Sequence, residues 1–273
     1  MRVDLHLHTW ISDGEVSPTE LVERAVAARL DVIAVTDHDT AAGIPEAMLA
    51  AVGKPLVLIP GIEVSCRVEE TELHILGYWI DPLSPAILEH QRLAGSRRTD
   101  RMLAMIERLR GMGIEVSIEE VQAAAGPSVK SLGRPHLARA LHAARHTRFY
   151  GEAFTRFIGN SGPAYVAEGF PSPEYAIKVI HEAGGRAVWA HPPLDCFDRL
   201  LPGLRDMGLD GVECFRPAVD RDDSLHLESA ALELGMFATG GSDWHGPSRG
   251  RLGEFAVAGG RVEPFLSIGN ILG

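Results

Sequence analysis

The sequence predicts an α/β fold built around a largely parallel sheet. Short apolar, β-branched segments alternate with segments whose apolar residues recur at helical spacing. The alternation is interrupted once, because residues 84–158 have an almost entirely helical pattern. We therefore predict a barrel-like sheet domain formed by residues 1–82 and 164–273, with residues 83–163 as an inserted helical subdomain.

Each element is supported by its local sequence. Ser17 is a plausible helix N-cap, Pro18 suits the first helical position, and Glu20 is placed to complete a capping box. The predicted helices outside the insertion cover 18–29, 43–51, 173–183, 197–207 and 225–234. Apolar and β-branched runs predict strands at 2–6, 31–36, 56–59, 61–65, 72–79, 186–190, 211–214 and 236–239.

Composition excludes several classes of protein. No apolar run is long enough to span a membrane, and the N-terminus lacks the pattern of a secretory signal, so we expect a cytoplasmic protein. The three cysteines contain no Cys-x-x-Cys pair, which argues against a disulfide framework and a thiolate zinc site. A net charge of −11 argues against a basic groove for duplex DNA.

The first strand ends in a pair of histidines. Because side chains two residues apart on a strand point to the same face, His6 and His8 should project together. Such a pair can hold one divalent metal ion, although short two-histidine motifs also arise by chance. The rest of the chain decides between these interpretations.

Further histidines and carboxylates lie in or directly after the other predicted strands. They are His38, Glu63, His74, His191, Glu213, Asp243 and His245. In α/β barrels the carboxyl ends of the strands meet at one mouth, where functional residues are found. Burying so many polar groups there without a common ligand would require a separate partner for each. Five histidines on predicted helices are instead expected to form ordinary hydrogen bonds: His90, His142, His146, His181 and His226.

The donor types indicate the metal and its chemistry. Imidazole and carboxylate ligands without thiolate suit manganese, zinc or ferrous iron. These donors exceed what one tetrahedral ion needs, so two or three divalent ions are expected. Clustered ions favour hydrolysis of a phosphate ester, because they generate hydroxide at neutral pH and clamp the phosphoryl oxygens. Asp13 alone would be a turn residue, and Glu213 could be a ligand or a carboxylate that orients a ligand histidine.

Taken in order, these residues resemble the motifs of the polymerase and histidinol phosphatase (PHP) family. The matching segments are His6-x-His8, Asp13, Thr36-Asp37-His38, Glu63, His74, Ala190-His191-Pro192 and Ser242-Asp243-x-His245. The resemblance implies a distorted seven-stranded (β/α) barrel with a trinuclear metal site at its mouth, of which manganese is the expected metal.

The resemblance also implies how the ligands divide among three ions. The first ion would take His6, His8, Glu63 and Asp243. The second would take His74 and His191 and share Glu63 as a bridge. The third would take Asp13, His38 and His245. A hydroxide bridging two ions, aligned by Glu63 and Asp243, would then attack phosphorus.

The predicted insertion carries a further segment of the family pattern, Gly133-Arg134-Pro135-His136. Together with Asp13 it resembles the branch that removes phosphate from nucleoside 3′,5′-bisphosphates, some members of which trim RNA 5′ ends. By analogy the insertion would cover the active site, with Arg134 and His136 binding the substrate phosphate. Arg134 would neutralise phosphoryl oxygens, and His136 or a metal-bound water would protonate the leaving oxygen.

Two departures from the family pattern keep other functions open. Leu194 and Glu168 stand where many relatives have basic residues, so this chain lacks two positive charges that relatives carry. A phosphatase for histidinol phosphate or another small phosphomonoester is therefore an alternative. A non-catalytic, metal-stabilised PHP module is a third interpretation, which the complete ligand set disfavours.

Overall fold

The computed structural model describes residues 1–167 and 169–271. Its strands are β1 (Arg2–Leu7), β2 (Val32–Val35), β3 (Val57–Val68), β4 (Thr71–Tyr78), β5 (Arg186–Ala190), β6 (Gly211–Phe215), β7 (Phe237–Gly240) and β8 (Val257–Ala258). Its α-helices are α1 (Pro18–Ala27), α2 (Ile44–Ala51), α3 (Pro85–Gly111), α4 (Ile118–Ala125), α5 (Arg134–Ala143), α6 (Pro173–Glu182), α7 (Phe197–Asp206), α8 (Arg221–Glu233) and α9 (Glu263–Ile268). Short 3₁₀ segments cover Pro247–Arg249 and Gly259–Arg261, and a π-helix covers Phe154–Ile158.

All eight strands form one sheet in the order β7-β6-β5-β4-β3-β2-β1-β8. The prediction of seven strands is wrong, because β8 adds a two-residue strand antiparallel to the start of β1. Two residues are too few to show any periodicity in the sequence. The sheet is also less uniform than predicted, since β4 runs antiparallel to both β3 and β5. The α/β class itself is confirmed.

The sheet curls until it is nearly a closed barrel. The end of β1 meets the segment after β7, where Leu7 forms a parallel bridge with Trp244. At this seam the His8 amide donates to the Trp244 carbonyl at 3.0 Å. The Ser242 amide donates to Asp4 Oδ1 at 2.8 Å. The two edges of the sheet are thereby joined beside the residues that end β1.

β1 contains a bulge that sets the direction of its histidines. Asp4 pairs with Ile33, whereas Leu7 pairs with Val35, so β1 uses one more residue than β2 over this stretch. As a result Leu5 packs in the apolar cluster that includes Val32 and Ala34, while Leu7 packs in the cluster that includes Ile33 and Val35. Simple alternation would have kept Leu5 and Leu7 on one face. The bulge therefore changes which face of the sheet the side chains around His6 point to.

The helices after β4 have an apolar core of their own. Met105 and Leu109 of α3 pack with Leu137 and Leu141 of α5 in a cluster separate from those of the sheet. The first turn of α3 packs instead against the sheet through Ile87. This separation supports our proposal that residues 83–163 form an inserted unit.

Helix starts follow the predicted chemistry with one difference. The Ser17 hydroxyl accepts a hydrogen bond from the Glu20 amide at 3.0 Å, which confirms the predicted N-cap. The Glu20 carboxylate accepts from Arg24 Nε at 2.9 Å rather than from the cap residue.

Within residues 1–167 and 169–271, no helix has the length and apolarity that a bilayer span would need.

Candidate metal centre and active site

Nine residues predicted as metal ligands converge at one end of the barrel. His6 lies in β1 and His8 directly follows it, and their ring centroids lie 5.1 Å apart. His74 arrives from the opposite direction, because β4 is antiparallel and pairs His74 with Ser65 and Ala190. The full set is His6, His8, Asp13, His38, Glu63, His74, His191, Asp243 and His245.

The Glu63 carboxylate lies at the centre of this cluster and is fully buried. Its Oε1 lies 2.9 Å from His74 Nδ1 and 3.0 Å from His191 Nε2. Its Oε2 lies 3.3 Å from the Nε2 atoms of both His6 and His8. The two oxygens therefore face different sets of histidines, which is the geometry required of a carboxylate bridging two ions.

Asp243 and Asp13 extend the cluster on either side of His8. Asp243 Oδ1 lies 3.3 Å from His6 Nε2 and 3.1 Å from His8 Nε2. Asp13 Oδ1 lies 3.4 Å from His245 Nε2 and 4.0 Å from His38 Nε2. The remaining nitrogen of His8 lies 3.9 Å from the same Asp13 oxygen.

His38 belongs to two groups at once. Its Nε2 faces Asp13, whereas its Nδ1 lies 3.0 Å from Glu63 Oε2. Among the described residues, four overlapping groups of donors could each hold a metal ion. They are His8, Asp13, His38 and His245; His6, His8 and Asp243; His6, Glu63 and His191; and His38, Glu63 and His74. His6, His8, His38 and Glu63 each belong to two of these groups.

The donor spacing fits divalent cations. Two donors bound to one ion at about 2.0–2.2 Å lie about 3.0–3.5 Å apart, which is the separation seen around Glu63 and Asp243. In addition, His6 Nε2, His8 Nε2 and Glu63 Oε2 are buried without a hydrogen-bond partner. Unpartnered buried donors and acceptors are rare in proteins unless an ion or water satisfies them. The set of nitrogen and oxygen donors matches the sequence-based expectation.

Charges within the cluster oppose the effect of burial. Burial disfavours ionised carboxylates, but the surrounding histidines hold the pKa values of Glu63 and Asp13 well below their usual range. Burial likewise disfavours charged imidazole, yet the carboxylates of Asp243 and Glu63 raise the pKa of His8 to about 10. Glu63 has the same effect on His74, whose pKa is about 10. The carboxylates are thus fixed as anions that require cations beside them.

A buried carboxylate holds two of the candidate ligand histidines in place. Glu213 Oε1 accepts from His6 Nδ1 at 2.9 Å, and Oε2 accepts from the His191 amide at 2.7 Å. Of the two roles left open for Glu213, this geometry favours orientation of ligands. Two candidate ligands also have strained backbones, with φ of 31° at His191 and 53° at Asp243. Such φ values persist where the surrounding structure imposes them.

A cavity of about 330 Å³ opens directly beside the cluster and shares Asp13, His38 and His74 with it. Its other lining residues include four arginines and three aromatic residues: Arg98, Arg101, Arg134, Arg249, Tyr150, Phe154 and Phe170. Only Arg134 among these was a predicted site residue. The others carry no sequence motif, although clustered arginines at 97, 98 and 101 were visible.

Arg134 is held at the cavity wall by two neighbours. Its Nη1 donates to Asn160 Oδ1 at 2.6 Å, and its guanidinium lies 5.6 Å from the ring centroid of Tyr165. Arg101 lies 5.5 Å from the same centroid and donates from Nε to the Val166 carbonyl at 2.8 Å. Tyr165 therefore places two cations beside one cavity.

His136 is less suited to the predicted role of proton donor. It is fully buried, whereas its neighbours Gly133 and Arg134 line the cavity. Its Nδ1 accepts from the Gly133 amide at 2.9 Å, which leaves the proton of the neutral ring on Nε2. Burial lowers the pKa of His136 to about 4. At neutral pH it can donate a hydrogen bond, but it is rarely a charged acid.

Two further sets of residues from the sequence analysis remain, namely the positions that depart from the family pattern and the histidines on helices. Leu194 is 43% exposed, and Glu168 lies outside the described residues. The histidines predicted to be structural form hydrogen bonds, and these are His90 with Asp39, His142 with the Thr147 carbonyl, His146 with the Glu115 carbonyl, His181 with Asp210 and His226 with Asp198.

Known proteins resemble this chain over most of its length. A "5′-3′ exoribonuclease" of Haemophilus influenzae is 35% identical over 90% of this chain and 90% of its own. A "3′,5′-nucleoside bisphosphate phosphatase" of Chromobacterium violaceum is 31% identical over 91% and 89%. A "phosphoribosyl 1,2-cyclic phosphate 1,2-diphosphodiesterase" of Eggerthella lenta is 33% identical over 90% and 95%.

Solved structures and family models agree with these similarities. A candidate metal-dependent phosphoesterase of Bifidobacterium adolescentis superposes with a TM-score of 0.87 at 30% identity, covering 97% of this chain and 95% of that one. The family model of the PHP domain matches residues 4–143. The chain therefore belongs to the PHP family of phosphoesterases.

Proposed function

We propose that this protein is a metal-dependent phosphatase that removes the 3′-phosphate from nucleoside 3′,5′-bisphosphates. The observation that carries the proposal is the cavity beside Glu63 and His74, whose lining combines arginines with aromatic rings. Arginine forks bind phosphates, and aromatic rings stack on nucleobases. The name of the Chromobacterium violaceum relative supports the same substrate.

The metal ions, the carboxylates and the arginine have separate roles in the proposed reaction. When bound, two or three divalent ions, for which manganese is our expectation, supply a nucleophile at neutral pH and neutralise phosphoryl oxygens. Glu63 and Asp243 fix the positions of the donor groups relative to one another, since each carboxylate contacts both His6 and His8. Arg134 binds an anionic oxygen of the substrate from the cavity wall.

The charge of the cavity favours a doubly phosphorylated substrate over histidinol phosphate. One phosphate can contact the metal cluster, and Arg134 and Arg249 at the cavity wall offer positive charge to a second one. Arg249 adds positive charge to the cavity, whereas the chain has no basic residue at positions 194 and 168. A non-catalytic role is disfavoured because every predicted ligand position holds a metal-binding residue.

Metal analysis and a phosphate-release screen on one preparation test the proposal. We expect two or three equivalents of divalent metal, with adenosine 3′,5′-bisphosphate hydrolysed faster than 5′-AMP, 3′-AMP and histidinol phosphate. Chelation should abolish turnover and added manganese should restore it. Equal rates on singly phosphorylated esters would contradict the bisphosphate assignment, and full activity without metal would contradict the metal-dependent chemistry.

Replacement of His136 distinguishes a hydrogen-bond donor from a proton donor. We expect His136→Asn to lower kcat/KM by about 10- to 100-fold, because one charge-assisted hydrogen bond in the transition state is lost. The shape of the pH profile between pH 5.5 and 8.5 should stay the same, since the ring is already neutral there. Loss of the basic limb of the profile would instead identify His136 as the general acid.

A further inference from the structure

His191 has a backbone conformation that its own sequence disfavours. Its φ of 31° lies in the left-handed region, whereas a residue that precedes proline is normally extended. Pro192 is itself followed by Pro193, and the φ angles of both prolines are fixed by their rings. A strained residue of this kind persists only where neighbouring groups impose its conformation.

The end of β6 supplies two contacts that hold this segment. Glu213 Oε2 accepts a hydrogen bond from the His191 amide at 2.7 Å, and Arg216 Nη2 donates to the Pro192 carbonyl at 2.8 Å. Residues three apart on a regular strand point to opposite faces, but the pairing of β6 with β7 shifts register between Glu213 and Phe215. Two side chains from one short stretch thus hold the backbone on either side of the strained Cα.

The Arg216 side chain is partly buried beside negative charge. Burial lowers the pKa of its guanidinium, and the carboxylates of Glu213 and Asp243 oppose this effect. The guanidinium of arginine stays charged in proteins. Its Nε atom is buried without a hydrogen-bond partner, so the contact with the Pro192 carbonyl is made by a group that has been removed from water.

His191 needs such support more than the donors next to it. Its side chain is 32% exposed, whereas those of His6 and Glu63 are fully buried. Its Nε2 nevertheless lies 3.0 Å from Glu63 Oε1 and 3.2 Å from His74 Nδ1. Packing around the ring therefore fixes His191 less firmly than its neighbours, and the hydrogen bonds to its backbone segment contribute the more to its position.

We propose that Arg216 is a positioning residue, which holds the backbone at Pro192 so that His191 presents Nε2 to one metal ion. This inference rests on the metal-binding part of the proposed function. Without Arg216 the strained segment can relax, and His191 should move away from Glu63. The affinity for one ion should then fall, while the separate donors around Asp13 keep theirs.

Manganese binding to Arg216→Met tests the proposal. Metal-free protein is titrated with Mn²⁺, and the free ion is measured by electron paramagnetic resonance. We expect one equivalent to bind about 10- to 100-fold more weakly than in the wild type, the usual effect of removing a residue that orients a ligand. Arg216→Lys keeps one charged donor and should have an intermediate affinity. Arg221→Met is the matched control, because Arg221 borders the same surface cavity as Arg216 but is exposed.

The metal dependence of the rate separates positioning from a general loss of structure. In Arg216→Met, the Mn²⁺ concentration for half-maximal phosphate release should rise by about 10- to 100-fold. At saturating Mn²⁺ the value of kcat should return close to that of the wild type, because the bound ion itself fixes His191. A structural disturbance would instead lower kcat at every Mn²⁺ concentration.

The outcomes separate this inference from the proposed function. Unchanged affinity for every equivalent in Arg216→Met and Arg216→Lys would overturn the role of Arg216 and leave the proposed function intact. Equal weakening of all equivalents would overturn it as well. If circular dichroism shows that Arg216→Met does not fold, Arg216→Lys decides, since selective weakening supports the role and unchanged affinity overturns it. Wild-type protein that binds no divalent metal would instead overturn the proposed function.

Discussion

Replacing Glu63 by Gln is expected to lower kcat/KM by about 10³-fold or more, equivalent to about 4 kcal/mol of transition-state stabilisation. The substitution keeps the shape of the side chain but removes the negative charge, and an amide cannot bridge two cations as a carboxylate can. Because Glu63 contacts His6, His8, His38, His74 and His191, the bound metal should fall by more than one equivalent. Metal content and phosphate release measured on the same sample test both expectations.

The comparison requires a variant with the same chemical change elsewhere. Glu119 lies exposed on α4, so Glu119→Gln should retain both metal and activity. Glu63→Gln removes a charge that the surrounding histidines stabilise in the metal-free cluster, so a circular dichroism spectrum is needed to show that the fold survives. Unaltered metal content in Glu63→Gln, with a normal circular dichroism spectrum, would show that Glu63 does not bridge the ions.

Replacing Arg98 by Met should destabilise the protein by about 3–5 kcal/mol, the cost of leaving a buried charge without its partner. Arg98 of α3 donates from Nε and Nη2 to Asp39 Oδ2, at 2.9 Å and 2.5 Å. Asp39 also accepts from His90 Nε2 at 3.1 Å and from the Ser65 amide at 2.9 Å. The network links the long helix α3 to the segment that follows β2 and to Ser65 within β3.

Urea denaturation of the metal-replete protein measures this effect. Arg92→Met on the same helix is the control, because Arg92 and Glu89 form an exposed ion pair that contributes little to stability. A double-mutant cycle with Asp39→Asn isolates the interaction, and asparagine tolerates the φ of 54° found at this position. Equal losses of stability in Arg98→Met and Arg92→Met would mean that the buried pair does not hold α3 in place.

The strands and the donor cluster were predictable because both depend on local patterns. Runs such as 31–36 are apolar and β-branched, and the histidines and carboxylates stand in or just after such runs. The rest depends on contacts between distant residues. Strand β8 is too short to detect, the reversal of β4 is a matter of pairing, and Arg249 lines the cavity from a segment that contacts the distant Glu15 through Ser248.

Residue roles were harder to predict than residue positions. His136 looked like a proton donor from its place in the motif, yet burial and the bond from the Gly133 amide leave its ring neutral. Arg101 and Tyr150 lack any motif, and they become cavity residues through the packing of helices around a separate core. Such packing has no signature within a short sequence window.

The bulge in β1 makes the length of this strand a functional variable. Asp4 and Leu7 pair with Ile33 and Val35, so a deletion of one residue between them would restore a regular ladder. If Leu5 were the deleted residue, both histidines would still be present, but His6 and His8 would be turned relative to Glu63. Single substitutions along the strand cannot reveal this dependence. In related genes, the spacing between the start of β1 and its two histidines should therefore tolerate neither insertion nor deletion.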